Sequence, residues 1–91
     1  MAGGTKRYAR DYAFELLQDA LARWGEIPPA SEFIPAATPC VREEAWWRRF
    51  KDANISDATP KSQRTAFWRA GRSLVESGRV RKHDPWVWIV R

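Results

Sequence analysis

Thr59-Pro60-Lys61-Ser62-Gln63-Arg64-Thr65-Ala66-Phe67-Trp68-Arg69-Ala70-Gly71-Arg72-Ser73-Leu74-Val75-Glu76-Ser77-Gly78 is the stretch on which the fold turns. A threonine side chain accepts bonds from the free backbone N–H groups that open a helix, and a proline just after it loses nothing by lacking its own N–H. Thr59-Pro60 therefore predicts a helix start. Ala66, Phe67, Ala70, Leu74 and Gly78 fall on one arc, with Lys61, Arg64, Thr65, Trp68, Arg69 and Arg72 on the other, so the helix is expected from Pro60 to about Ser77. Past Gly78 the pattern turns extended. Arg79-Val80-Arg81-Lys82, the turn-forming His83-Asp84-Pro85 and Trp86-Val87-Trp88-Ile89-Val90 read as a β-hairpin.

Upstream, Asn54 to Thr59 is rich in side chains that compete for backbone hydrogen bonds, which predicts a turn. Before it, Glu43 to about Ala53 places Trp46, Trp47, Phe50 and Ala53 on one arc and Arg48, Arg49 and Lys51 on the other, a short helix whose two tryptophans are core candidates. Gly25 to Pro39 contains Pro28, Pro29, Pro35 and Pro39 and cannot be helical. Ile27, Phe33 and Ile34 make it a connection packed on the core, with a short strand near Pro39 to Arg42. From Tyr8 to Trp24, Tyr12, Ala13, Leu16, Leu17, Ala20 and Leu21 trace an amphipathic helix. Gly25 follows it at the place where helices commonly end in the left-handed conformation.

Helix, short strand, helix, turn, helix and hairpin is the order of a winged helix-turn-helix. The expected class is mainly α with a small β-hairpin: three helices plus a two- or three-stranded wing sheet. Residues 1–7 are expected to be a flexible arm and residues 8–91 a single domain, since 91 residues suffice for one modest core.

Sixteen Lys and Arg against eleven Asp and Glu give a net charge of +5, which favours a polyanionic partner. Cys40 is the single cysteine, which excludes an intramolecular disulfide and a multi-cysteine zinc site and fits a reducing, cytoplasmic, nucleoid-associated setting. The longest apolar run, Trp86 to Val90, is far below the roughly 20 residues that span a bilayer. No membrane partner is expected. No Gly-rich phosphate loop, nucleophile pair or metal spacing is present, and His83 is the only histidine, so the chain is read as a non-enzyme without metal or cofactor.

In a helix-turn-helix the second helix of the motif enters the major groove. Lys61, Arg64, Trp68 and Arg72 would form a stripe along that helix, flanked by Gln63 and Arg69. Gln63, Arg64 and Arg69 are candidate base readers and Lys61 a candidate phosphate contact, because Arg pairs bidentately with guanine and Gln with adenine. Arg79, Arg81, Lys82 and His83 would make the wing a cationic hairpin suited to the backbone or minor groove. Two alternatives stay open. Trp68 either meets a partner or is covered by the first helix or the connection. Trp86 and Trp88 share one face of the last strand and Val87 and Ile89 the other, so one apolar face is either covered by the arm or the connection or serves as a protein interface.

The run Arg64-Thr-Ala66-Phe67-Trp-Arg69-Ala70-x-x-x-Leu74-x-x-x-Gly78-Arg79-Val80 with Trp86-Val87-Trp88-Ile89-Val90 resembles the winged-helix domain at the C-terminus of RepA-like, AAA-type replicative ATPases and helicases of phages, plasmids and integrated elements. Trp47-Arg48-x-Phe50 and the long first helix extend the similarity. The resemblance implies a double-stranded DNA-binding module associated with replication, with a replicative helicase or ATPase domain as a possible neighbour. Its alternative is a winged helix that docks a helicase or loader by protein contact. Asp84-Pro85 stands where an Asp-Gly turn is expected in the wing, and Gly71 inside the helix is read as a site of close helix packing.

Overall fold

The computed structural model describes residues 9–53 and 59–90. The arm at 1–7 and the turn read at 54–58 lie outside the described residues. The elements are α1 (Ala9–Trp24), β1 (Val41–Arg42), α2 (Glu43–Ala53), α3 (Pro60–Glu76), β2 (Val80–His83) and β3 (Trp86–Ile89). The strands form one antiparallel sheet in the order β1-β3-β2, with Val41 opposite Val87 and Val80 opposite Ile89. Three helices followed by a hairpin that also captures a short strand ahead of α2 make a winged helix-turn-helix.

Local chemistry explains the boundaries of α3. The Ser62 N–H donates to Thr59 Oγ1 at 3.1 Å, and Pro60 follows as the first helical residue. At the other end Gly78 takes φ +83, the Gly78 N–H reaches the Val75 carbonyl at 3.0 Å and the Arg79 N–H the Leu74 carbonyl at 3.2 Å. These paired bonds satisfy carbonyls that a helix end leaves bare, and the left-handed residue between them suits glycine. Gly25 behaves otherwise. Its φ is not left-handed, contrary to expectation. Glycine is needed there because a Cβ would sit 2.4 Å from the Leu21 carbonyl oxygen.

The core lies between the helices and one sheet face. Ala13, Leu16, Leu17 and Ala20 from α1, Trp46 and Phe50 from α2, Phe67, Ala70 and Leu74 from α3, and Val41, Val80 and Val87 from the sheet are all buried. Trp46 is fully buried, and its Nε1–H donates to the Ala13 carbonyl of α1 at 2.9 Å, so the indole brings no unpaired donor into the core. Its ring meets Phe67 of α3 edge-on, with centroids 4.9 Å apart. Trp47 is only half-buried, on the rim of the same cluster. The Tyr12 hydroxyl donates to the Ala53 carbonyl at 3.0 Å, satisfying the last residue of α2, and Asp19 of α1 accepts from both Arg23 and Arg49. Those two guanidinium partners, Arg49 above all, hold the Asp19 carboxyl below the usual carboxylate range.

The second apolar face of β3 is covered by the connection. Trp88, 4% exposed, packs with Ile34 and Cys40, and Trp86 lies beside them. The connection is held in place by the Glu26 and Cys40 backbones, which exchange bonds of 2.9 and 2.8 Å, and by Ser31 Oγ, which accepts from the N–H groups of Phe33 and Ile34. The covering reading of the Trp86/Trp88 face is thus the one the structure supports, with the connection as cover.

Gly71 does not serve the close packing expected of it. A Cβ there would lie 3.6 Å from the Trp46 ring, an ordinary contact. Glycine in a helix interior costs about 1 kcal/mol relative to alanine. Gly71→Ala is therefore expected to raise the melting temperature by about 4–8 °C in a domain of this size. An unchanged or lowered melting temperature by circular dichroism would show that the Trp46 contact has no room to spare.

Candidate nucleic-acid interface

Because Phe67, Ala70 and Leu74 face the core, the 3.6-residue period turns Lys61, Arg64, Trp68, Arg69 and Arg72 outward, and all five are exposed. Trp68 is 68% exposed. Neither α1 nor the connection covers it, which closes one of the two alternatives open for this residue. Gln63 is placed differently from these five. It is half-buried, one turn ahead of Phe67 on the arc that continues to Ala70 and Leu74, and so lies on the core side of α3.

The outward cations differ in how they are held. The Arg64 guanidinium lies over the Trp47 ring, 4.7 Å from its centroid, which orients it while leaving donors on its edge. Arg72 pairs with Glu76 one turn on at 3.6 Å; both are highly exposed, so the pair is worth only about 0.3–0.5 kcal/mol and exchanges readily for another anion. Lys61 and Arg69 have no ion-pair partner among the described residues.

The wing residues do not share one face of the hairpin. Side chains alternate along a strand, so Lys82 shares the inner face with Val80, while Arg81 and His83 share the outer face with their cross-strand partners Trp88 and Trp86. Lys82 reaches the Glu43 carboxylate at 2.5 Å and lies beside α3. On the far side, His83 stacks on Phe33 of the connection at 4.3 Å and 11°, and Arg81 lines an apolar hollow of about 460 Å³ with Phe33, Trp88 and Val90. Arg79 sits at the base of the hairpin, its guanidinium 4.1 Å from the Phe14 ring and 3.8 Å from Asp11 of α1. The hairpin itself is tight. It turns over Asp84-Pro85, joined by a cis peptide, and the Pro85 carbonyl accepts from the Glu43 N–H at 2.9 Å. The wing tip is thereby tied to the start of α2.

Two open grooves flank Trp68. One, of about 900 Å³, runs between α3 and β2, with Arg64, Arg69, Arg72, Val75 and Lys82 in its walls. The other, of about 570 Å³, runs between α3 and α2, with Arg42, Trp47, Arg48, Lys51 and Arg64 in its walls. Arg42, Arg48 and Lys51 were not among the site candidates. For Arg48 and Lys51 the signal was the basic side of α2, whose proximity to α3 follows from the packing of Trp46, Trp47 and Phe50 on Phe67; Arg42 comes from β1, just ahead of α2.

Among the described residues no group of three or more His, Cys, Asp or Glu is placed to hold a metal ion, and no helix is long and apolar enough to cross a membrane. No family model, curated protein or solved structure matches the chain.

Cys40 is fully buried in the outer-face cluster, and its Sγ–H donates to the Thr38 carbonyl at 3.4 Å. Burial pushes the thiol pKa up, so the reactive thiolate is suppressed. Alkylation by iodoacetamide at neutral pH is expected to run at least about a hundredfold slower in the folded chain than in denaturant, because it must wait for the cluster to open. Equal rates would mean that the connection does not seal the sheet.

Proposed function

We propose that this chain is a winged-helix module that binds double-stranded DNA, with α3 in the major groove and Lys82 of the wing on the adjacent backbone. The observation that carries this reading is the outward face of α3: Lys61, Arg64, Arg69 and Arg72 all exposed, around an uncovered Trp68. The one carboxylate of α3, Glu76, is already occupied by Arg72. A helix presenting such a face beyond a helix-turn-helix meets base edges and phosphates together. The net charge of +5 favours the same class of partner.

The interface proposed is narrower than the one read from sequence. Gln63 lies on the core side, Arg79 is engaged with α1, and Arg81 and His83 lie on the sheet face opposite α3, so these four are left out of it. The resemblance of the α3-to-β3 sequence to the winged helix of RepA-like replicative ATPases favours a role in replication of a phage, plasmid or integrated element. We take the module to contribute binding rather than catalysis. A second reading, docking of a helicase or loader on the same face, is favoured by the exposure of Val75 (39%) on the same flank of α3 as Trp68.

The two readings separate by salt. Each phosphate neutralised releases counterion and contributes about −0.9 to the slope of log K against log salt. Anisotropy binding to a random duplex is expected to weaken steeply with salt, and Lys61→Ala/Arg69→Ala, which removes two cations that have no ion-pair partner among the described residues, is expected to reduce the slope by about two. Binding that is absent or salt-independent, or a double variant that behaves as the parent does, would overturn the DNA reading in favour of protein docking.

A further inference from the structure

Trp68 forms a ridge with a cationic groove on either side. The α3–β2 groove carries Arg69, Arg72 and Lys82, the α3–α2 groove Arg42, Arg48 and Lys51, and Arg64, one turn before Trp68, lines both. Of the carboxylates beside them, Glu43, held by Lys82, lines both grooves, Glu76, held by Arg72, lines the α3–β2 groove, and Glu44 and Asp84 lie in the α2-side groove. The cations suit the backbones of any duplex, but the indole asks for more. Base edges in an intact major groove offer an aromatic ring little apolar surface beyond a thymine methyl, because the faces of the bases are already stacked on one another. An uncovered indole finds its best partner in a base face, and base faces are free only where pairing ends.

We propose, building on the DNA-binding reading above, that the preferred ligand is a junction at which duplex DNA opens into single strands. Trp68 stacks on the first unpaired base, and the two grooves receive the two diverging backbones. Charge complementarity on both sides of one aromatic ridge distinguishes this arrangement from a single basic stripe. It makes Trp68 the residue that sets preference among DNA structures, while the surrounding cations supply general affinity.

The test compares a forked duplex with a closed dumbbell of the same paired sequence, which has no free ends, by anisotropy at one salt concentration. Stacking of a base on an aromatic side chain corresponds to roughly 5- to 150-fold in affinity, so the fork is expected to bind about tenfold tighter. A 2-aminopurine placed as the first unpaired base should lose fluorescence on binding. Trp68→Ala should bring the fork-to-dumbbell ratio close to one and abolish the quench, and Trp68→Phe should keep part of both. Trp24→Ala, at an exposed tryptophan outside both grooves, should keep both in full. At 68% exposure Trp68 can be truncated without loss of the fold, which circular dichroism checks. A dumbbell or a plain single strand bound as tightly as the fork overturns the junction preference while leaving DNA binding in place. A preference that survives Trp68→Ala overturns the role of the indole. Absence of binding to all three ligands overturns this inference and the DNA-binding reading together.

Discussion

The buried indole of Trp46 is the contact on which the arrangement of the helices depends. Its N–H is fastened to the Ala13 carbonyl of α1, and its ring is met edge-on by Phe67 of α3. One side chain thus ties α2 to both other helices and fixes how far α3 can roll. Truncating a buried tryptophan typically costs about 3–5 kcal/mol, a large share of the 5–15 kcal/mol that holds a small domain together. The outward face of α3 is a consequence of this packing. With Phe67, Ala70 and Leu74 directed at Trp46 and α1, the helical period leaves Lys61, Arg64, Trp68, Arg69 and Arg72 no place but the surface.

A second constraint shapes the sheet. Three short strands with apolar side chains on both faces need a cover on each, and the helices supply only one. The proline-rich connection supplies the other by laying Ile34 and Cys40 on Trp88 and Phe33 on His83. This has a functional cost. Arg81 and His83, on the covered face, are turned away from α3, and the wing contributes Lys82 alone to the proposed interface. The link from the Pro85 carbonyl to the Glu43 N–H keeps the wing tip against α2 instead of letting it project.

The elements were legible in the sequence because local chemistry dictates them. Thr59-Pro60 opens α3 as read, Gly78 closes it, and the apolar spacing placed α1 and α2 to within a residue. The turn chemistry around Asp84-Pro85 marked the hairpin. What the sequence did not disclose depends on the flanks of each element. Gln63 falls by helical period on the arc of Phe67, Ala70 and Leu74, but its polar side chain led it to be grouped with the outward residues. A cluster of cations in a hairpin reads as one patch until strand alternation divides it, and Arg79, ahead of the strand, belongs to the α1 contact. Gly25 was read from the commonest reason for a terminal glycine, whereas here the reason is the nearness of the Leu21 carbonyl. The groove between α2 and α3 is tertiary from the start. Arg48 and Lys51 join the surface around Trp68 because Trp46, Trp47 and Phe50 pack on Phe67 and bring the two helices together, and Arg42 joins it from β1.

The proposed nucleic-acid surface lies on one side of the molecule and the sealed sheet face on the other. Chemical-shift mapping of the 15N-labelled chain during titration with a short DNA duplex tests that division most directly. The account predicts that amide shifts concentrate at 61–72 and at Lys82, with Phe33, Arg81 and His83 unmoved. Shifts centred on the connection and the outer sheet face, or none at all, would contradict it.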